Sequence, residues 1–237
     1  MMNKILLCSD LDRTLLPNGP QPESRQARHY LTTLAQHSDI ALAYVSGRHL
    51  TLVEQAITEF SIPVPNYVIA DVGTSIYSRQ DNRWELWSDW HAALAPDWCG
   101  MQQQALSALL QDWPDIVLQE AEKQNTYKLS YYTQQDIDTD HLLLQLKLFF
   151  ETRKIQANLI WSIDEMTQQG LLDILPASAN KLHAIKFLIQ KGGFNLQHCL
   201  FAGDSGNDLD VLVSEIPAVL VRNAMGEVQQ QALRQVS

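Results

Sequence analysis

Two carboxylates, Asp10 and Asp12, follow a short apolar run at residues 5–8. The run predicts a buried strand, and open α/β sheets bind their ligands at the carboxyl ends of such strands. Neighbouring acids repel each other unless a cation is present, so the pair suggests a hard, oxygen-ligated metal such as magnesium. The alternative for residues 10–14 is a solvated turn or a helix cap.

A second acidic segment, Gly-Asp-Ser-Gly-Asn-Asp at residues 203–208, follows another apolar run at residues 199–202. It places Asp204, Asn207 and Asp208 in a tight loop supported by glycines. A calcium-binding loop is the alternative, but it requires further ligands at regular spacing and a distal Glu, which this segment lacks. The loop is therefore a specific candidate for a functional site.

Two further candidates carry groups suited to phosphate. Ser46, Gly47 and Arg48 follow the apolar run at residues 40–45, where a hydroxyl and backbone N–H groups at a helix start could hold phosphoryl oxygens. An ordinary helix N-cap is the alternative. Lys181 begins a helical segment and could set a cation against charge that develops on a transferred phosphoryl group. Its alternative is a surface lysine.

The elements that must position these residues alternate between strand and helix. Apolar, β-branched runs separated by helical patterns predict an α/β fold with a doubly wound, mostly parallel sheet. The runs lie at residues 5–8, 40–45, 67–70, 171–175, 199–202 and 218–221.

The pattern changes from about Arg79, where several tryptophans stand in a polar stretch. Strand and helix patterns at residues 127–150, and a further alternating strand at 156–163, predict a small α+β cap inserted into the core. We assign residues 1–79 and 171–237 to the catalytic core and residues 80–170 to the cap.

Composition excludes some classes of partner. The formal net charge of -10 disfavours nucleic-acid binding, which requires clustered Lys and Arg. The N-terminal apolar run is too short for a signal peptide or a membrane span. The cysteines, Cys8, Cys99 and Cys199, match neither zinc-ligand spacing nor a disulfide framework, so we expect a cytoplasmic protein.

The four motifs, in this order and at these strand ends, resemble the haloacid dehalogenase superfamily, whose phosphatases carry DxDxT, a Ser/Thr, a Lys and GDxxND. The position of the α+β insertion is similar to that of a type IIB cap. More narrowly, residues 44–48, 69–77 and 128–132 are similar to the sucrose-phosphate phosphatase branch. Departures from that branch are Arg13 in place of a usual Asn and Ser46 in place of a more common Thr.

The resemblance implies a Mg²⁺-dependent phosphatase that removes phosphate from a small sugar phosphate. Asp10 would be the nucleophile, and Asp12 would protonate the departing oxygen and then activate water, for which it must hold a proton near neutral pH. The metal ligands would be the Asp10 carboxylate, the Asp12 backbone carbonyl and Asp204, with Asp208 in support. The phosphoryl oxygens would be held by Ser46, Lys181 and Asn207.

The cap is expected to close over the sugar and supply specificity. The candidate substrate contacts are Gln124, Asn125 and Lys128 in the cap, with Gly47, Arg48, Gly73 and Thr74 in the core. Sucrose 6-phosphate is the substrate that the resemblance favours; mannosylfructose phosphate, glucosylglycerol phosphate or sugar phosphates in general are alternatives. A mutase, or a non-enzymatic regulatory partner of a sugar-phosphate synthase, also stays open. We expect a monomer.

Overall fold

The computed structural model describes residues 4–18, 23–134, 136–164, 167–224 and 226–236. The chain divides into two compact units, one formed by Met1–Trp87 with Asn180–Ser237 and the other by Ser88–Ala179. Over the described ranges, every helix is too short or too polar to cross a membrane.

The first unit is built on a seven-stranded sheet. Its strands are β1 (Ile5–Ser9), β2 (Ile40–Val45), β3 (Tyr67–Ala70), β4 (Ser75–Gln80), β5 (Arg83–Leu86), β10 (Cys199–Gly203) and β11 (Ala218–Leu220). Its helices are α1 (Ala27–Ala35), α2 (Leu50–Glu59), α6 (Lys181–Gly192), α7 (Leu209–Leu212) and α8 (Gly226–Val236). The strand order is β11-β10-β1-β2-β3-β4-β5, and only the pairings of β4 with β3 and β5 are antiparallel. The prediction of a mostly parallel α/β sheet is confirmed.

The strands β1 and β2 lie in the middle of this sheet; β2 is buried on both faces, while β1 is buried on one face and half-buried at Leu7 on the other. Leu6 and Cys8 of β1, and Ala43 and Tyr44 of β2, are all 0% exposed. This burial explains why these strands are continuous apolar runs, since an alternating pattern arises only when one face meets water. In the parallel register Ser9 lies opposite both Tyr44 and Ala202, so the residues after β1, β2 and β10 emerge at one edge.

The second unit holds a four-stranded antiparallel sheet in the order β6-β7-β9-β8. Its strands are β6 (Ile116–Leu118), β7 (Leu129–Thr133), β8 (Ala157–Ile163) and β9 (Gly170–Pro176), and its helices are α3 (Ser88–Leu94), α4 (Gln103–Leu109) and α5 (Thr139–Glu151). Helix α5 buries Leu142, Leu146 and Phe150, spaced one turn apart. This unit is the predicted α+β insertion.

The predicted boundaries of the insertion need correction at both ends. Residues 171–176 were assigned to the core, but β9 pairs with β7 and β8 inside the second unit. The largely apolar run of β9 fits a strand of either sheet, so its composition did not show which sheet it joins. Residues 80–87 were assigned to the cap, but β5 pairs with β4 in the first unit.

Candidate active site

Asp10 stands at the end of β1 and is 4% exposed. Its backbone N–H donates to the carbonyl of Ala202 at 2.9 Å, which extends the pairing of β1 with β10 up to this residue. The Nζ of Lys181, the first residue of α6, lies 2.7 Å from Oδ1 of Asp10 and 2.7 Å from Oδ1 of Asp208. One buried cation therefore balances part of the charge of two buried carboxylates, as buried charges require.

The pKa values of this group follow from burial and close charges. Burial raises the pKa of Asp10 to about 6, because the opposing effect of the Lys181 charge is smaller. Burial lowers the pKa of Lys181, but the charges of Asp10 and Asp208 raise it by more, so the net pKa of Lys181 is raised. Lys181 is thus a permanent cation beside a carboxylate that takes up a proton in mildly acidic solution.

Asp208 is held by the loop that precedes it. Its Oδ2 accepts hydrogen bonds from the backbone N–H of Asp204 at 3.0 Å and of Ser205 at 3.1 Å, and from the Ser205 hydroxyl at 3.1 Å. A Cβ at Gly203 would lie 2.6 Å from the carboxyl carbon of Asp208, so only glycine allows this approach. The loop geometry therefore fixes Asp208 and the adjacent Asp204.

Three carboxylates form a group that fits a divalent cation. Asp10, Asp204 and Asp208 each offer an oxygen, and these oxygens lie within 4.8 Å of one another. A cluster of carboxylate oxygens at one strand edge is the donor set that Mg²⁺ prefers, and Lys181 balances only part of its charge. The described structure thus brings together the carboxylates that the sequence analysis predicted to bind metal. Asp10 and Asp208 both contact Lys181, and Asp208 is also hydrogen-bonded by its loop.

Asp12 does not point into this group but pairs with Arg48. The guanidinium Nη2 lies 2.6 Å from Asp12 Oδ1 and Nε lies 3.0 Å from Oδ2, while Asn18 Nδ2 donates to Oδ1 at 2.6 Å. Burial raises the pKa of Asp12, but these hydrogen bonds and the Arg48 charge lower it by more, so the net pKa is lowered. The expectation that Asp12 holds a proton near neutral pH is therefore not met in this arrangement. The predicted metal contact through the Asp12 backbone carbonyl stays a prediction.

The residues that follow β2 lie at the same edge of the sheet as the acid after β1. Ser46 is 0% exposed, and its Oγ accepts a hydrogen bond from the Arg48 N–H at 3.1 Å. Gly47 is exposed between them. Arg48, predicted to lie beside the phosphate, is here engaged by Asp12. The phosphoryl contacts of Ser46 and Gly47 stay predictions.

The turn after β3 packs against this segment and contains an acid that the sequence analysis did not select. Asp71, which is 5% exposed, donates its backbone N–H to the Arg48 carbonyl at 3.0 Å, and Val72 donates to the Ser46 carbonyl at 3.2 Å. Gly73 has φ +97°, and a Cβ there would lie 2.5 Å from the backbone of Asn180. The turn therefore fixes the position of the Ser46–Arg48 segment relative to the start of α6.

Thr74, predicted to contact the sugar, is 0% exposed and donates its hydroxyl to the Asp71 carbonyl at 3.1 Å. Its side chain stabilises the turn, and its sugar contact stays a prediction. Gly73 is likewise buried. Asn207, by contrast, is exposed in its loop, where its Oδ1 and Asp208 Oδ2 compete for the single proton of the Ser205 hydroxyl, at 3.0 and 3.1 Å.

The substrate-binding candidates of the cap all lie in the second unit, but their side chains have different bonding partners. The Gln124 amide donates to the carbonyls of Gln119 and Ser130 and accepts a hydrogen bond from the Ser130 N–H. Because both ends of the amide bind backbone atoms, this arrangement does not support a sugar contact. Asn125 Oδ1 accepts the N–H of Tyr127 at 2.8 Å. Lys128 is 8% exposed, and its Nζ lies 3.6 Å from Asp173 Oδ2. Its contact with the substrate stays a prediction.

Arg13, like Asp71, was not among the site residues that the sequence analysis selected. Its Nε and Nη2 lie 3.0 and 2.8 Å from Asp204 Oδ2, across a sequence separation of 191 residues. The available signal was its position: a basic residue inside the Asp-rich motif, where the resembling family usually has Asn. Its contact places a cation directly on a predicted metal ligand.

Comparisons with known proteins identify the family of this chain. The model of the sucrose-6F-phosphate phosphohydrolase family matches residues 3–237. A Nitrosococcus oceani protein named as a HAD-like hydrolase is 55% identical over 236 residues, which cover 100% of this chain and 64% of that protein. Sucrose-phosphatase 2 of Nicotiana tabacum is 29% identical over 237 residues, covering 96% of this chain and 52% of that protein. The chain thus spans about half to two thirds of the length of these relatives.

A solved structure shows the same fold over the whole chain. The sucrose-phosphatase of Synechocystis sp., in complex with sucrose and phosphate, superposes with a TM-score of 0.76 and 26% identity, covering 100% of this chain and 90% of that one. The mostly parallel sheet, the inserted α+β unit and the strand-end carboxylates define a protein of the haloacid dehalogenase superfamily. Within that class, the chain belongs to the sucrose-6F-phosphate phosphohydrolase family.

Proposed function

We propose that this chain is a Mg²⁺-dependent phosphomonoesterase that acts on a sugar phosphate through a covalent intermediate on Asp10. The observation that carries the proposal is the buried group of Asp10, Asp204 and Asp208, in which Lys181 pairs with Asp10 and Asp208 and Arg13 pairs with Asp204. Burial of ionised carboxylates is costly even when they are paired, and perturbed acids of this kind are typical of functional sites.

The reaction divides between Asp10 and Asp12. A carboxylate oxygen of Asp10 attacks phosphorus, the bond from phosphorus to the sugar oxygen breaks, and Asp12 gives its proton to that oxygen. Water then attacks the same phosphorus, Asp12 takes a proton from the water, and the bond to Asp10 breaks to release phosphate. Lys181, held at 2.7 Å from Asp10, keeps a positive charge beside the oxygen that changes charge in both steps.

The first step requires Asp10 to be ionised and Asp12 to be protonated. Bound Mg²⁺ would supply positive charge that keeps Asp10 ionised and stabilises the phosphoryl oxygens. Asp12 must leave Arg48 to take up the proton it donates, because the guanidinium lowers its pKa. The released guanidinium would then be available to the phosphoryl oxygens, as expected from the sequence.

We propose sucrose 6-phosphate as the substrate, supported by the family model and by the likeness to a structure solved with sucrose and phosphate. The test is phosphate release from sucrose 6-phosphate, mannosylfructose phosphate, glucose 6-phosphate and fructose 6-phosphate, each with Mg²⁺ and with EDTA. Mg²⁺-dependent preference for sucrose 6-phosphate supports the proposal. Preference for another disaccharide phosphate, or equal rates on monosaccharides, contradicts the substrate but keeps the chemistry.

Two other classes of function make different predictions in the same assay. A mutase would consume substrate without releasing phosphate in proportion. A regulatory partner of a synthase would release none and would keep its role after Asp10→Asn, whereas the proposed phosphatase loses both hydrolysis and role in that variant.

A further inference from the structure

Arg13 binds Asp204 through two N–H donors of its guanidinium group. Its Nε and Nη2 lie 3.0 and 2.8 Å from Oδ2 of Asp204, a residue that is 1% exposed. The other oxygen, Oδ1, lies 3.4 Å from the hydroxyl of Thr14. Hydrogen bonds between a charged guanidinium and a carboxylate are about twice as strong as those between neutral groups.

The backbone holds Arg13 in this place against its own preference. Its φ is +58°, a left-handed conformation that is uncommon for residues other than Gly, Asn and Asp. Asn18 Oδ1 accepts the Arg13 N–H at 2.8 Å, and Asn223 Nδ2 donates to the Arg13 carbonyl at 2.6 Å. Both polar backbone atoms are thus fixed by side chains, one of them 210 residues away in sequence.

Charge in this part of the first unit is nearly balanced by three cations. Lys181 pairs with Asp10 and Asp208, Arg48 pairs with Asp12, and Arg13 pairs with Asp204. A divalent cation bound by Asp10 and Asp204 would therefore lie close to the guanidinium of Arg13. Two positive charges at such a distance repel each other strongly where water is largely excluded.

We propose that Arg13 is the countercharge of Asp204 in the metal-free protein and competes with the divalent cation for this carboxylate, so that it lowers the affinity for Mg²⁺. This inference rests on the proposed Mg²⁺ site. The side chain of Arg13 is 28% exposed while that of Asp204 is 2% exposed. The guanidinium can therefore move toward water when the metal enters, whereas Asp204 stays in place.

The test compares Mg²⁺ binding by calorimetry to the full chain, freed of metal with a chelator, with the same measurement on Arg13→Gln and Arg13→Lys. Removal of the charge in Arg13→Gln should tighten Mg²⁺ binding by on the order of ten- to a hundredfold. Arg13→Lys keeps the charge but not the two-donor contact, so its Mg²⁺ affinity should fall between those of the parent chain and Arg13→Gln. Arg83→Gln, on the exposed edge strand β5, loses the same charge far along the sheet and should leave the affinity unchanged.

Melting temperature gives a second readout that does not depend on turnover. Without metal, Arg13→Gln should melt below the parent chain, because Asp204 is left buried without its cation. With saturating Mg²⁺ the difference should shrink or change sign. Equal or weaker Mg²⁺ binding by Arg13→Gln than by the parent chain would overturn the inference.

The two proposals fail in different ways. A parent chain that binds Mg²⁺ but hydrolyses no sugar phosphate contradicts the proposed function and still allows the Arg13 comparison. Mg²⁺ binding that appears only in Arg13→Gln supports the inference. If neither the parent chain nor Arg13→Gln binds Mg²⁺, both the metal site and the role of Arg13 are wrong.

Discussion

The Nζ of Lys181 lies 2.7 Å from Oδ1 of Asp10, in a position where the lysine is only 1% exposed. A lysine at such a position is kept charged only by its acidic neighbours, here Asp10 and Asp208. The same contact joins the end of the central strand β1 to the first residue of helix α6. The ion-paired group of Lys181, Asp10 and Asp208 therefore both stabilises the first unit and positions the proposed nucleophile.

Replacement of Lys181 by Met should destabilise the protein by about 3–5 kcal/mol, because two buried carboxylates lose their shared cation. Chemical denaturation of the metal-free variant at pH 7 measures this loss. The control is Lys186→Met on the same helix, where Lys186 Nζ lies 2.9 Å from Glu215 at the surface. Such exposed pairs contribute little, so no measurable loss is expected. Equal losses in the two variants would contradict the role of burial.

The metal-free protein should lose stability as the pH rises through the range in which Asp10 ionises. Its pKa is raised from 3.8 to about 6, so the folded state binds the proton more tightly than the unfolded state does. The stabilisation is present below pH 3.8 and is lost as the pH passes 6. Because one pKa unit corresponds to about 1.4 kcal/mol, the change amounts to about 3 kcal/mol.

Asp10→Asn cannot ionise and should lack this dependence. The free energy of unfolding of the variant minus that of the parent chain, both in EDTA, should therefore increase by about 2 kcal/mol from pH 4 to pH 7, since the unfolded state is already partly ionised at pH 4. A difference that stays constant with pH would show that Asp10 has an ordinary pKa.

Loss of Arg48 should move the pH dependence of catalysis. The guanidinium lowers the pKa of Asp12, so Arg48→Gln raises that pKa and allows Asp12 to hold its proton at higher pH. The midpoint of the alkaline limb in a profile of kcat/KM against pH, where Asp12 loses the proton it must donate, should move upward in Arg48→Gln and much less in Arg48→Lys. An unchanged profile would mean that the pair does not persist in the working protein, whatever happens to the rate.

Gly203→Ala should disturb Asp208, because the new Cβ would lie 2.6 Å from its carboxyl carbon. Overpacking of this kind destabilises by about 1–3 kcal/mol, and the displaced carboxylate should also weaken Mg²⁺ binding. Gly206→Ala is the matched control in the same loop, since a Cβ there meets nothing within 4 Å. Calorimetric Mg²⁺ titration of both variants, with thermal unfolding alongside, measures the effects. A Gly203→Ala protein that behaves like Gly206→Ala would contradict the observed packing.

Much of the core and its site could be predicted because each acid or hydroxyl follows a buried apolar strand. Asp10, Ser46 and Asp204 lie where the strands β1, β2 and β10 end, and parallel pairing alone brings such positions together. The contact of Arg13 with Asp204 could not be predicted, since it depends on a turn with φ +58° at Arg13 and on a loop 191 residues away.

The boundary errors have a different cause. The strand β9 is as apolar as a core strand, and only its partners assign it to the second unit. The hairpin of β4 and β5 was missed although Asp81 and Asn82 join its strands, with φ of 45° and 63°. Positive φ at both central residues is typical of two-residue hairpin turns rich in Asn, Asp and Gly, so a signal was present in the sequence.

The most direct test of the account is to trap phosphate on Asp10. The protein is mixed with sucrose 6-phosphate and Mg²⁺, quenched in acid during turnover and reduced with borohydride, which converts an acyl phosphate to an alcohol that peptide mass spectrometry can locate. The account predicts the alcohol at position 10, its absence with EDTA and its absence in Asp10→Asn. Phosphate release without a trapped group, or a trapped group at another residue, would contradict Asp10 as the nucleophile.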